Sequence, residues 1–450
     1  VSNRTSAAPL PDEVLDLVCV GFGPANIALA VAFDELWPSA RVLFLERERG
    51  ARWQPGMLLS RSDIQNNPAR DLVTPRNPRS RYTFVNYLHE NNRLFKHLNV
   101  PAHHPLRKEF AKYVQWVAEQ VPADVRYGHE VTSVGIVEDG GRGLVEVRTA
   151  DGQLVRARAA VVAPGRTANI PAAFADIDPR NAFHTNHYLP GIADLDRDFA
   201  GTIAVVGGSQ SAIEVVLDLA DRFPAARVAN VMSGYGYRLK DTSPFSEEVY
   251  FPEFVSYYHA ASPQGKHLLR EQLRPTNYSS ADRDVIDALY LRLYEDDLDG
   301  AQRITLHTNR IIESVVERGG RVALDCLERV DGSREVITAD RVVLATGFRD
   351  LGTGKRAETL PPLLADLVPA LRVDAETGVR VGLDYRLATT DPQAPPIFLN
   401  GLCESSHGLG DAGSFSLLAL RAKAILHSAR RALTTGAAVD DADLIAAPTR

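Results

Sequence analysis

Val18-Cys19-Val20-Gly21-Phe22-Gly23-Pro24-Ala25-Asn26 decides how the rest of the chain is read. Before the turn, Leu15, Leu17, Val18 and Val20 form an apolar run that predicts a buried parallel strand. A Gly-x-Gly turn follows, and Ile27 to Leu36 predicts a helix. A strand, a glycine turn and a helix make the phosphate-binding end of a dinucleotide fold. The glycines let the backbone approach a pyrophosphate, and the helix N-terminus supplies N–H donors. Roughly 20 residues on, where such folds place an acid for the ribose hydroxyls, Val42-Leu43-Phe44-Leu45 predicts a second strand ending in Glu46. Gly21, Gly23, Pro24, Asn26 and Glu46 are therefore candidate nucleotide contacts. Pro24 and Asn26 replace the usual third-glycine spacing, so an ordinary strand–turn–helix is the competing reading.

The pattern recurs far downstream. Ile203-Ala204-Val205-Val206 predicts a strand, Gly207-Gly208-Ser209-Gln210-Ser211 a turn, and Ile213 to Leu219 a helix. One dinucleotide fold needs one such turn. Two imply two nucleotides, one held tightly and one exchanging. Between and after them lie Val131 in a strand-rich stretch, Val342-Val343-Leu344-Ala345-Thr346-Gly347-Phe348 as an apolar strand ending in Thr-Gly, and Ile397-Phe398-Leu399 leading to His407-Gly408-Leu409. A long helix is expected from about Phe415. Residues 51–112 are irregular, with Trp53 in a turn and arginines and asparagines on broken backbone. Binding groups gather on such loops.

The totals narrow the classes. The chain has 450 residues, enough for two or three domains, and its hydrophobic content of 45% suits a globular protein. A net charge of −7 gives no support to a nucleic-acid partner. Three dispersed cysteines form no metal spacing and no Cys-x-x-Cys, so no metal site and a reducing, cytoplasmic location are expected. The polar N-terminus lacks the features of a signal peptide, and no apolar run is long enough for a membrane span. The first dozen residues and the Ala/Asp-rich tail are expected to be loose.

Taken in order, several segments resemble the flavin-dependent N-hydroxylating monooxygenases, the ornithine and lysine N-hydroxylases of siderophore and related natural-product pathways. They are Gly21–Asn26, Trp53-Gln54-Pro55-Gly56-Met57, Asp71-Leu72-Val73-Thr74, Phe84–Leu88, Thr276-Asn277-Tyr278-Ser279, Ala345–Phe348 and His407-Gly408-Leu409. The resemblance runs from Gly21 to Arg421. It implies an α/β fold with two Rossmann-like domains, the NADPH domain inserted into a discontinuous FAD domain. Expected spans are 1–198 for the first FAD part, 199–340 for the NADPH domain with a substrate-contacting helical segment near 240–295, and 341–450 for the second FAD part. The implied reaction is hydroxylation of a primary amine through a C4a-hydroperoxyflavin, with O₂ and a small amine as partners and a homo-oligomer as the expected assembly.

The resemblance also assigns residues. Gln65 matches a catalytic glutamine beside the flavin ring, and Asn277 an asparagine holding the amino-acid end of the substrate, also placed with the catalytic groups. A loop-stabilising glutamine and a helix cap are their structural alternatives. Ser416 matches a serine near the substrate, alternatively a helix start. Trp53, Val131, Gln65, Thr346, Gly347, His407, Gly408 and Leu409 join the cofactor set, with Gly207, Gly208, Ser209, Gln210 and Ser211 for NADPH.

Departures fall where substrate is expected. Arg70 stands where the family carries a lysine that pairs with the substrate carboxylate, and the two are not interchangeable. Glu247 stands where an asparagine is frequent, and would repel a carboxylate or welcome an ammonium. Ornithine or lysine leads. Aspartate would suit Arg70 and a diamine would suit Glu247, so both stay open, as does a flavin-binding protein without catalysis. Phe183-His184-Thr185-Asn186-His187 does not fit the linker of Baeyer–Villiger enzymes, and the absent cysteine pair argues against a disulfide reductase.

Overall fold

A computed structural model describes residues 10–354 and 356–435. The expectation of loose ends therefore lies mostly outside the described residues. Strands β1 (Leu15–Val20), β2 (Val42–Glu46), β3 (Asp124–Tyr127), β4 (Val131–Asp139), β5 (Arg142–Thr149) and β6 (Leu154–Val162) form one sheet in the order β3-β2-β1-β6-β5-β4. β1 pairs in parallel with β2 and β6, which leaves it central, and its apolar run is buried on both faces. Helix α1 (Pro24–Leu36) follows the first glycine turn. Helices α2 (Phe84–Glu90), α3 (Leu94–Leu98) and α4 (Arg107–Gln120) interrupt the irregular segment. Within α4, Phe110, Tyr113, Val114 and Val117 recur at helical spacing, and that stripe is buried.

The chain then runs through β7 (Ala182–His184), α5 (Tyr188–Gly191), β8 (Thr202–Val206), α6 (Gln210–Arg222) and β9 (Arg227–Val231). Next come α7 (Pro252–Ala260), α8 (Pro263–Leu273), α9 (Arg283–Leu298), β10 (Ile304–His307), β11 (Arg310–Arg318), β12 (Arg321–Glu328), β13 (Arg334–Ala339) and β14 (Arg341–Leu344). A second sheet, in the order β10-β9-β8-β14-β7, is parallel throughout. β11, β12 and β13 form a separate antiparallel sheet. Two short pairs follow, β15 (Asp350–Leu351) with β16 (Ala357–Glu358) and β17 (Val373–Asp374) with β18 (Gly378–Val379). The chain then returns as β19 (Ile397–Leu399), α10 (Glu404–His407) and α11 (Leu418–Thr435). β6 joins the two ends: its first half pairs antiparallel with β5, and its last three residues pair in parallel with β19.

Sheet membership differs from the expected divisions at 199 and 340. β7 and β14 both belong to the second sheet, so its strands begin at 182 and end at 344. An apolar run announces a buried strand, but its partner is chosen by tertiary packing. The last helix likewise starts at Leu418 rather than near Phe415, because Phe415 packs edge-on against Trp53 and Phe110. No described helix is long and apolar enough to cross a membrane.

Candidate active site

The first turn is shaped by close approach. Gly21 has φ +85°, and a side chain there would stand 2.3 Å from the carbonyl oxygen of Ala163. Only glycine suits both constraints. Phe22 N–H donates to Glu46 Oε2 at 2.6 Å, so the acid ending β2 folds onto the turn. Its Oε1 accepts from Glu48 N at 2.8 Å. Gly23 faces open space, and Pro24 opens α1 where a missing N–H costs nothing. Asn26 is a brace rather than a facing contact. It is fully buried, donates to Val20 O and Gly21 O at 3.1 and 2.7 Å, and accepts from Asn400 at 3.0 Å. Val131, half-buried, opens β4 just after His129, whose N–H donates to Glu46 O at 2.9 Å.

The second turn repeats the device. Gly207 has φ +150°, and a Cβ there would meet Ala345 O at 2.4 Å. Gly208 and Ser209 line a cleft of about 950 Å³ with Thr346, Gly347, Arg166 and Tyr278. Ser209 caps α6 without a side-chain bond, which leaves its hydroxyl unused there. Ser211, half-buried, sits in the first turn of α6. Gln210 is another brace: it accepts from Asp282 N at 2.9 Å and donates to Glu214 at 3.1 Å. The cleft floor is fixed by Thr346 Oγ1, which donates to Asn169 O at 2.5 Å, and by His184, whose Nε2 donates to Gly347 O at 2.9 Å.

Between the turns lies the irregular loop. Gln65 sits at φ +52° with its N–H on Asp63 Oδ1 at 2.9 Å. Its amide nitrogen Nε2 is buried and has no hydrogen-bond partner among the described residues. A buried unsatisfied donor costs about 1–3 kcal/mol. It fits a group that arrives carrying an acceptor, as a flavin ring does. Trp53 stands edge-on to Phe415 and Phe110, with ring centroids 4.9 and 6.0 Å away, and builds an aromatic wall. The guanidinium of Arg70 lies over the ring of Tyr250, 5.3 Å from its centroid. Burial raises the Tyr250 phenol above its ordinary range. Glu247 adds to that and Arg70 opposes it, so charges of both signs act on one phenol.

Asn277 donates from Nδ2 to Leu409 O at 3.0 Å. It ends a short 3-10 turn, whereas α9 is opened by Asp282, so Asn277 is not the cap of that helix. The loop after Leu409 packs tightly here. A side chain on Gly410 would meet Tyr250 at 3.0 Å, and one on Gly413 would meet Asn277 Nδ2 at 3.0 Å. Ser416 is buried before α11 begins, and its Oγ accepts from Asn66 Nδ2 at 3.3 Å. One junction thus gathers the Gln65–Arg70 loop, Glu247 with Tyr250, Asn277 and the Leu409–Ser416 loop.

Two expected flavin neighbours are committed elsewhere. His407 stacks on Tyr385 at 4.1 Å, contacts Ser406 Oγ at 2.8 Å, and is pushed down to about 4 by burial, which keeps it neutral. Gly408 N–H closes onto Glu404 O at 3.1 Å and is not free to donate outward. The sequence reading missed a buried ionic network. Glu404 accepts from Tyr278 Oη and from Gly413 N at 3.1 Å, and lies 3.7 Å from Arg166. Arg166 and Arg270 each donate to Asp350 at 2.6 Å. Burial pushes Glu404 up to about 7, with Arg166 opposing. Glu404 sits in an unremarkable Cys-Glu-Ser-Ser stretch, and no local pattern signals its burial.

Comparison with known proteins follows the same lines. A family model described as L-lysine 6-monooxygenase/L-ornithine 5-monooxygenase matches residues 13–350. An L-ornithine N(5)-monooxygenase of Burkholderia cepacia is 38% identical over 439 residues, covering 94% of this chain and 95% of that one. The ornithine N-hydroxylase of Kutzneria sp. 744, solved with reduced FAD, NADP+ and L-ornithine, superposes with a TM-score of 0.85 at 33% identity, covering 93% and 99% of the two chains. The L-lysine 6-monooxygenase of Pseudomonas syringae gives 0.81 at 34% identity, covering 93% and 99%.

Proposed function

The chain belongs to the L-lysine 6-monooxygenase/L-ornithine 5-monooxygenase family, and from that premise we propose that it is an FAD- and NADPH-dependent monooxygenase that N-hydroxylates a primary amine of ornithine or lysine type, in siderophore or other natural-product biosynthesis. FAD is assigned to the Gly21–Pro24 turn with Glu46, and NADPH to the Gly207–Ser209 turn. Bound FAD supplies the redox chemistry, passing to O₂ the electrons that NADPH delivers. Gln65, whose amide nitrogen is buried without a partner among the described residues, is assigned to the reacting centre. Trp53, Phe110 and Phe415 keep that centre dry, which suppresses unproductive loss of oxidant to water.

The observation that carries the substrate reading is Arg70, whose guanidinium lies over Tyr250, together with Glu247, whose opposite charge acts on the same phenol. Arg70 has no acid partner among the described residues. It suits a carboxylate, and Glu247 suits the α-ammonium beside it. Such a pair favours a substrate with one carboxylate and two amines. Aspartate would bring a second carboxylate against Glu247, and a diamine would leave Arg70 without an anion. The reacting amine must be neutral to attack, whereas a free alkylamine is mostly protonated near pH 7. Desolvation in the pocket lowers its pKa. Asn277 and Ser416 are assigned to orientation of the substrate.

A panel of ornithine, lysine, aspartate, putrescine and cadaverine tests the reading, scored for hydroxylamine formed per NADPH consumed. Coupled product from ornithine or lysine is expected. Coupling confined to aspartate or to the diamines would refute the substrate, and a colourless protein that takes up no FAD would refute the class.

A further inference from the structure

β9 ends in Val231, and Met232 and Ser233 follow. In a doubly wound nucleotide fold this place reads the adenine ribose. An acid there takes the ribose hydroxyls, and an arginine nearby accommodates a 2′-phosphate. After β9 the chain offers no acid until Asp241. Within that segment Arg238 is basic, and further positive charge comes from elsewhere in the chain. Arg329, which follows β12, donates from Nη1 to Ser233 O at 3.0 Å. Arg310, which opens β11, donates its backbone N–H to Met232 O at 2.9 Å. Asn309 N–H bonds Gly234 O at 2.9 Å, so the β10–β11 turn is stitched to the end of β9. Arg238, Arg310 and Arg329 all line the cleft that the second glycine turn opens into.

The three arginines are not equivalent. Arg310 is neutralised by Glu335 at 2.5 Å and Glu328 at 3.5 Å. Arg238 and Arg329 are exposed, and neither has an acid partner among the described residues. Two guanidinium forks without acid partners among the described residues, lining one cleft, suit a dianionic phosphate.

We propose that Arg329 and Arg238, with Ser233 beside Arg329 in the wall of the same cleft, form the 2′-phosphate site that selects NADPH over NADH, and that the β11–β12–β13 sheet is the platform carrying Arg329 to the end of β9. The selectivity is thereby supplied across the fold and not by the residue that directly follows the strand. The proposal rests on NADPH occupying the second turn.

The test uses the FAD-loaded protein and calorimetric titration with two probes, 2′,5′-ADP and 5′-ADP, which differ only in the 2′-phosphate. The native protein is expected to bind 2′,5′-ADP the more tightly. Arg329→Ala and Arg238→Ala should each lower that preference by roughly tenfold, as loss of a charge-assisted phosphate contact does, with 5′-ADP affinity unchanged. Equal loss for both probes would mean that Arg329 merely props Ser233, and would overturn the proposal. So would an unaltered preference in the double variant, or no preference in the native protein. Failure of both probes to bind would take the NADPH reading of the cleft down with it.

Discussion

Arg107 of α4 grips Glu214 of α6 through two parallel N–H···O bonds of 2.8 and 2.9 Å, and its Nη1 also reaches Met57 O at 3.0 Å. One guanidinium therefore ties the turn that carries Trp53, the helix covering the first sheet and the helix that begins at the second glycine turn. Both side chains are largely buried, with 10% and 5% exposure.

Removing one partner leaves the other charge buried and unpaired, which typically costs about 3–5 kcal/mol. Arg107→Ala should lose stability on that scale in denaturant unfolding. It should also weaken NADPH binding, because α6 loses its tie to the flavin side. A loss below about 1 kcal/mol, the range of exposed pairs, would show that the clamp contributes little.

Gln65→Ala removes a buried side-chain amide nitrogen that has no partner among the described residues. Among the described residues nothing depends on that nitrogen for a hydrogen bond, so folding and flavin content should hold. Hydroxylamine formed per NADPH should fall by roughly tenfold or more, since removing one preorganised polar group at a reacting centre typically costs that much or more. Rapid-quench product analysis beside peroxide release measures it. Undiminished coupling would reduce Gln65 to a loop residue.

Gly21→Ala and Gly207→Ala are matched probes of the two turns. Each forces a methyl to within 2.3 or 2.4 Å of a carbonyl just past the end of a neighbouring strand, Ala163 after β6 or Ala345 after β14. The first should yield protein depleted of FAD. The second should keep its flavin spectrum and lose NADP+ binding. If either substitution affected both nucleotides alike, the assignment of one turn to each would fall.

How far the sequence reached follows from where the information lies. The β1–turn–α1 unit was legible because strand, glycines and helix are adjacent in the chain and each has a local cause. The junction was legible only through resemblance, since Arg70, Glu247, Asn277 and Ser416 meet through tertiary packing. Asn26 and Gln210 sit in the right motifs but turn inward as braces, a matter of side-chain direction that spacing does not carry. The strand of Val342–Leu344 was recognised, yet its sheet was not, because parallel neighbours come from far along the chain. Glu404 gave no signal at all: its burial is imposed by Tyr278, Arg166 and Gly413.

Glu404 also sets a pH dependence. Burial raises its folded pKa from the ordinary 4.5 to about 7, so the native state holds a proton that the unfolded chain releases. Stability from this group is fully present below pH 4.5 and is lost as pH rises through about 7. The shift corresponds to something on the order of 3 kcal/mol. Glu404→Gln keeps the neutral shape and removes the titration. Relative to this variant, the native protein should lose stability between about pH 4.5 and about pH 7, the window the two pKa values bracket. A stability difference that stays flat with pH would mean that Arg166 keeps the carboxylate ionised throughout.

The charges at Arg70 and Glu247 make separable demands on substrate. Arg70→Ala should raise KM for ornithine or lysine by roughly ten- to a hundredfold, the scale of one charge-assisted contact, with flavin content unchanged. Arg70→Lys keeps the charge but loses the fork, and should fall between. Glu247→Gln removes the partner of the α-ammonium. It should weaken the α-amino acids while improving tolerance of substrates whose α-amine is acetylated, because a half-buried carboxylate no longer meets an uncharged amide. The two variants should therefore part company: putrescine and cadaverine gain relative to ornithine when Arg70 is lost, and Nα-acetylornithine gains when Glu247 is lost. Steady-state KM values for these four amines, measured as coupled hydroxylamine formation, decide it. If Arg70→Ala left every KM unchanged, the guanidinium over Tyr250 would be a structural contact, and the carboxylate would have to be held elsewhere in the junction.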